Sequence, residues 1–125
     1  MTVYGLEGLD EISVSGQTMI GELRNGKVLE YMIHPEKFGL PLHDPKALRV
    51  ATVEESRNVV VAALENKAGA ARDIVALNAG AAIYVAGRAA SLEDGVEKAF
   101  ELIKSGAARS KLDAFVKFTQ QLARG

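Results

Sequence analysis

Residues 18–33 read "TMIGELRNGKVLEYMI", and the dipeptide Asn25-Gly26 at their centre decides how the first half of the chain folds. Asn-Gly readily takes the positive φ values of a type I′ turn, and apolar-rich runs flank it on both sides. A two-residue loop pairs Arg24 with Lys27, Leu23 with Val28, Ile20 with Tyr31 and Met19 with Met32. Met19, Leu23, Val28 and Met32 then share one face, and Ile20, Leu29 and Tyr31 the other. Both faces are partly apolar, so the ribbon is expected to pack on something on each side. The like-charged pair Arg24–Lys27 is expected to splay at an exposed tip.

Upstream, "VYGLEGLDEIS" (residues 3–13) opens as a short apolar strand and passes two closely spaced glycines, Gly5 and Gly8. "GLEG" is too weak a pattern for a phosphate loop and reads as a turn. It presents Asp10 and Glu11 side by side. Adjacent acids are common on solvated surfaces; the same pair at a strand end can also hold a divalent cation. Ser13, Ser15 and Thr18 lie close enough in sequence to bond a phosphate, although turn and strand roles are commoner for them.

Downstream, "HPEKFGLPLHDP" (residues 34–45) reads as a proline-punctuated connector. Its two histidines, His34 and His43, lack partners at metal spacing and are expected at the surface. From residue 52 the chain has no proline and turns helical. Thr52 with Glu55 forms a capping box for a helix to about Asn66, with Val53, Val60, Ala63 and Leu64 on one face. A second helix spans about Ala70 to Ala86, with Ile74, Leu77, Ala81, Tyr84 and Val85 at helical spacing and Gly87 as its stop. Its poverty in charge places it in the core, where Asn78 is expected as a satisfied amide. Ser91 with Asp94 caps a third helix carrying the stripe Leu92, Val96, Phe100, Ile103. A fourth runs from about Ala107 to Leu122, with Leu112, Phe115, Val116 and Phe118 expected inward. Arg72, Arg109 and Lys111 are expected on solvated helix faces.

The whole chain sets the limits on function. Its 125 residues, 48% apolar, suffice for one ordinary domain core. Fifteen basic against sixteen acidic residues give no pull toward nucleic acid or an acidic membrane. With no cysteine there is no disulfide, thiolate zinc site or cysteine nucleophile. No run reaches the roughly 20 apolar residues needed to span a bilayer, and the start lacks a signal-peptide layout. A cytoplasmic protein is the expectation. The class is α/β: an N-terminal strand and a β-hairpin over residues 1–50, then four helices over 52–124. One hairpin and one strand make a small sheet for four helices, as at the end of a larger α/β architecture.

Taken together, "VYGLEGLDEIS", the hairpin ending "YMIHPEKFGL", and "NKAGAARDIVALNAGAAIYVAGRAASLEDGVEKAFELIKSGAARSKLDAFVKF" resemble the C-terminal third of the anthranilate phosphoribosyltransferases. That family joins anthranilate to phosphoribosyl pyrophosphate in tryptophan biosynthesis, releasing pyrophosphate. The resemblance covers essentially all 125 residues and implies the C-terminal portion (1–125) of a glycosyltransferase-type α/β domain. It also implies that Asp10 and Glu11 are magnesium ligands, magnesium being the cofactor. The family's glycine-rich pyrophosphate loop, its Lys-His-Gly-Asn-Arg segment and its anthranilate-contacting arginine have no counterpart in these residues. Tyr4 stands where a histidine is common, and His34 where an aliphatic residue is common.

The implied substrates are phosphoribosyl pyrophosphate and anthranilate. The chain alone is expected to be inactive, working with the preceding part of a longer chain or with a complementary polypeptide. "MTVYG" begins where the family's strand is already under way, which suggests truncation or proteolysis, with an independent start at Met1 as the other reading. Two further readings stand beside this one. The first is a stand-alone α/β module whose apolar surfaces dock on a partner or on a second copy as a homodimer. The second is a nucleoside phosphorylase of similar fold, which the "GLDEIS" block and the helical tail disfavour.

Overall fold

The computed structural model describes residues 1–123. The chain order is β1 (Thr2–Gly5), β2 (Thr18–Arg24), β3 (Lys27–Ile33), two 3₁₀ turns (Pro35–Phe38 and Pro45–Leu48), then α1 (Val53–Leu64), α2 (Ala70–Val85), α3 (Leu92–Lys104) and α4 (Ala107–Leu122). The three strands form one antiparallel sheet in the order β1-β2-β3.

The hairpin has the expected register, from Arg24 opposite Lys27 through Met19 opposite Met32 to Thr18 opposite Ile33. Its turn has φ +52° at Asn25 and +76° at Gly26, the signs a type I′ turn requires. The two faces have different fates. Ile20 and Ile33 are buried beneath the helices, together with Thr18 and Glu22. On the opposite face Tyr4, Met19, Leu23, Val28 and Met32 are all exposed, so among the described residues only one side of the ribbon is covered.

The helices begin where their capping residues stand. The Thr52 side chain accepts the Glu55 N–H, and Ser91 accepts the Asp94 N–H, each at 3.1 Å. Both satisfy amides that the first helical turn leaves orphaned. Gly87, with φ +69°, follows α2 as expected. Helix α2 is the central element. Ala76 and Leu77 are almost fully buried, and the core joins Leu77 and Ala81 to Val96 of α3, Ile20 of β2, and Ile12 and Val14 of the β1–β2 connection.

Two apolar sets differ from the sequence expectation. In α4 Leu112 is half-buried, but Phe115 is 61% and Phe118 58% exposed, and Val116 is exposed too. Helix α4 touches α3 and the flank of α1, and no layer covers its far side among the described residues. In α1 only Ala63 is fully buried, and Val53 lies outward on the first turn. A helical period marks an apolar stripe; it does not determine whether anything lies over that stripe.

Candidate functional site: the acidic loop between β1 and β2

The chain leaves β1 at Gly5 and returns to the sheet at Thr18. Its first turn closes on itself. The Gly8 N–H donates to Gly5 O at 2.8 Å, the Gly5 N–H to Leu9 O at 2.9 Å, and the Leu6 N–H to Gln17 O at 3.0 Å. Gly8 has φ +100°, which is accessible to glycine and strained for other residues. "GLEG" is therefore a turn. A Cβ at Gly5 would lie 3.1 Å from Leu9 Cβ, tighter than an ordinary contact.

After the turn the chain enters the core. Ile12, Ser13 and Val14 are almost fully buried. Away from regular structure, their backbone groups need other partners. The Ile12 N–H donates to Asn78 Oδ1 at 2.9 Å, and Ile12 O accepts from Asn78 Nδ2 at 3.0 Å. The Ser13 N–H donates to Thr18 Oγ1, and the Val14 carbonyl accepts the His43 N–H, each at 2.9 Å. Ser13 Oγ bonds the Glu7 carboxylate and accepts the Ser15 N–H at 2.9 Å. These bonds occupy Ser13 and Thr18 inside the loop, so neither faces a phosphate. Ser15 Oγ is shielded from solvent and has no partner among the described residues.

Asp10 and Glu11 stand on the crest between the turn and the buried segment. Both are exposed, and among the described residues neither makes a side-chain hydrogen bond or ion pair. Glu11 borders a cavity of about 340 Å³, walled by Leu9, Leu48, Val59, Ala63 and Ile74. Two free carboxylates are hard oxygen donors suited to magnesium, which commonly takes one or two from a protein and completes its shell with water and phosphate oxygens. The donor set fits that role. Among the described residues no group of three His, Cys, Asp or Glu side chains assembles into a complete cation site.

Of the other polar candidates, only His43 and Asn78 bond the loop, the His43 N–H to Val14 O and the Asn78 side chain to Ile12. His34 lies near the surface, 3.3 Å from Glu36. His43, expected at the surface, instead sets Nε2 2.8 Å from Oδ2 of Asp73, a carboxylate only 2% exposed. Arg72, expected on a solvated face, grips the other Asp73 oxygen through Nε at 3.0 Å and Nη2 at 2.8 Å and lies over the Phe100 ring. Arg109 reaches Glu65, just past the end of α1, and Asp113 on its own helix. Asn78 is the satisfied amide expected of it, yet its partner lies 66 residues away. The one available signal for these contacts was polarity, Asp73 and Asn78 interrupting the most apolar helix of the chain.

A second polar cluster lies at the far end of the sheet. Glu22, 8% exposed, accepts the hydroxyls of Tyr84 at 2.7 Å and Tyr31 at 2.8 Å. Those bonds, Tyr84's first, hold its pKa below the ordinary glutamate value against the opposing effect of burial. Both tyrosines are pushed up in return: Tyr84 chiefly by the bond to Glu22, Tyr31 chiefly by desolvation.

The small antiparallel sheet is continued by a helical layer, with an acid-bearing loop at the end of its first strand. Residues 1–109 match the model described as "Glycosyl transferase family, a/b domain", and the chain belongs to that family. Within it, the chain is 52% identical over 124 residues to the anthranilate phosphoribosyltransferase of Burkholderia ambifaria, covering 99% of this chain and 36% of that one. It is 51% identical to the enzyme of the same name from Burkholderia vietnamiensis, with the same coverage. Among solved structures, anthranilate phosphoribosyltransferase from Thermus thermophilus superposes with a TM-score of 0.84 at 35% identity, over 94% of this chain and 35% of that one. The Saccharomyces cerevisiae enzyme in complex with PRPP and Mg superposes with a TM-score of 0.77 at 25% identity, over 92% of this chain and 33% of that one. The chain thus spans about a third of the length of the relatives it matches, and the matched part is their C-terminal one. Among the described residues no helix is long and apolar enough to cross a membrane.

Proposed function

We propose that the chain forms the C-terminal portion, residues 1–125, of a phosphoribosyltransferase domain that joins anthranilate to phosphoribosyl pyrophosphate in the cytoplasm. In that reaction the anthranilate nitrogen bonds to the anomeric carbon of the ribose, the bond from that carbon to pyrophosphate breaks, and the amine loses a proton. Asp10 and Glu11 would hold magnesium, which supplies positive charge against the negative charge that grows on the departing pyrophosphate. The observation carrying this reading is the exposed, unpaired Asp10-Glu11 crest on a loop braced by the core, in a chain 52% identical to an enzyme of that activity.

The remaining parts of such a site, a backbone cradle for pyrophosphate and a pocket for anthranilate, would come from the polypeptide that corresponds to the other two thirds of the relatives. The chain's own share is electrostatic and positional, because this displacement demands no strong protein base. On this reading the isolated chain has little or no turnover. The open apolar sheet face, Met19, Leu23, Val28 and Met32, supports association with further polypeptide, whether that remainder or a second copy.

The test is the loss of anthranilate fluorescence on adding phosphoribosyl pyrophosphate and magnesium. It is run on the isolated chain and on the chain fused behind the N-terminal two thirds of the Burkholderia ambifaria enzyme. Turnover by the fusion alone supports the proposal; a silent fusion that folds, or turnover by the isolated chain, overturns it.

A further inference from the structure

Asp10 and Glu11 are the two residues between two anchored ones. On one side the Leu9 carbonyl accepts the Gly5 N–H at 2.9 Å. On the other, Ile12 is clamped through both of its backbone polar groups by the side chain of Asn78. The amide meets Ile12 as a neighbouring strand would, one acceptor and one donor on the same residue. Its own orientation is fixed from below, since the second Nδ2 hydrogen goes to Ile74 O at 3.0 Å, one turn back on α2.

Asn78 is a costly choice at this position. It sits in the middle of α2, where asparagine is a poor helix former and a buried polar group must be bonded to be tolerated. Alanine would suit the helix better. What asparagine adds is a fixed end for the acidic crest, one peptide beyond Glu11.

We propose that Asn78 is a positioning residue for the divalent cation, holding Ile12 so that the Asp10 and Glu11 carboxylates reach one ion together. This rests on the reading of Asp10 and Glu11 as cation ligands. A purely structural Asn78 would alter stability and leave the cation affinity of the folded chain unchanged.

Manganese chloride, a paramagnetic stand-in for magnesium, separates the two roles when titrated into the ¹⁵N-labelled chain. Amide broadening at residues 9–12 is read against that at Glu54 and Glu55, an exposed acidic pair on α1. The wild-type chain is expected to broaden first at 9–12, and Asp10→Asn or Glu11→Gln to remove that selectivity. Asn78→Ala, or Asn78→Ser, is expected to need about tenfold more manganese at 9–12, as for other residues that orient metal ligands. Broadening at Glu54 and Glu55 should stay the same. An Asn78→Ala chain that broadens at the wild-type concentration overturns the positioning role and leaves the cation reading standing. A wild-type chain with no preference for 9–12 overturns both. Loss of fold in both Asn78 variants would make the residue a core stabiliser and overturn the positioning role as well.

Discussion

Gly95 of α3 meets Gly80 of α2 backbone to backbone: a Cβ built on Gly95 would stand 2.3 Å from the Gly80 carbonyl oxygen. The converse is equally tight, since a Cβ on Gly80 would lie 2.6 Å from Val96 Cα. The obstacles are main-chain atoms, so no rotamer change relieves them, and α2 and α3 would have to separate. In an open helix Gly→Ala gains about 1 kcal/mol of propensity. Here overpacking outweighs that gain, and Gly95→Ala is expected to cost about 3 kcal/mol. At Gly87 φ is +69° but the space is open, and Gly87→Ala should cost only about 1 kcal/mol from the left-handed backbone. Urea midpoints of the two variants decide the order.

The Glu22 cluster predicts a pH window. Glu22 has its pKa lowered in the fold by the Tyr84 and Tyr31 hydroxyls, so its contribution is present above the unfolded value of 4.5 and is lost as pH falls through the folded one. The tyrosines are raised, so theirs is present below 10.0 and fades as pH rises beyond it. Glu22→Gln keeps the shape and loses the charge-assisted bonds, at a cost of about 1–2 kcal/mol near neutral pH. Urea unfolding of both proteins from pH 3 to 9 should show a constant difference above about pH 5, shrinking below the unfolded glutamate range. A difference that grows toward acid would contradict the assignment.

The two sides of the sheet predict opposite tolerance. Ile20 is fully buried, whereas Leu23 and Val28 are 69% and 68% exposed. Ile20→Ala should cost about 2–5 kcal/mol by opening a cavity. Leu23→Thr and Val28→Thr should stay within about 0.5 kcal/mol in the isolated chain, as should Phe118→Ser on α4. Thermal unfolding of the four variants side by side is sufficient. A large loss at Leu23 or Val28 would mean that the outer face is covered in solution.

How far the sequence foretold this arrangement depends on the range of each interaction. The Asn25-Gly26 turn and the Thr52 and Ser91 caps are local devices, set by residues within a few positions, and they were legible. So was the turn of Gly5 and Gly8 that lifts Asp10 and Glu11 above the core. Burial was legible only where one layer sufficed to decide it. The same apolar spacing that places Val96 and Ile103 inside α3 leaves Phe115 and Phe118 of α4 in solvent. Contacts across long stretches of chain were not legible. His43, expected at the surface, finds Asp73 thirty residues away. Asn78 was expected to have a partner, but its type could not show that the partner is Ile12, sixty-six residues away.

The acidic crest yields the sharpest functional expectation. In the fusion with the N-terminal two thirds of a relative, Asp10→Ala and Glu11→Ala should each lower turnover about 100-fold, the scale for removing one preorganised electrostatic element at a reacting centre. Glu54→Ala, which removes an equally exposed acid from α1, should change nothing. The dependence on magnesium separates a ligand from a bystander. A carboxylate that binds the ion shifts the half-saturating magnesium concentration upward when removed, and excess magnesium partly restores the rate. A carboxylate that only shapes the loop lowers the rate at every magnesium concentration alike. Anthranilate fluorescence followed across a magnesium series reads both quantities in one experiment. An unshifted magnesium midpoint for both variants would remove Asp10 and Glu11 from the cation site.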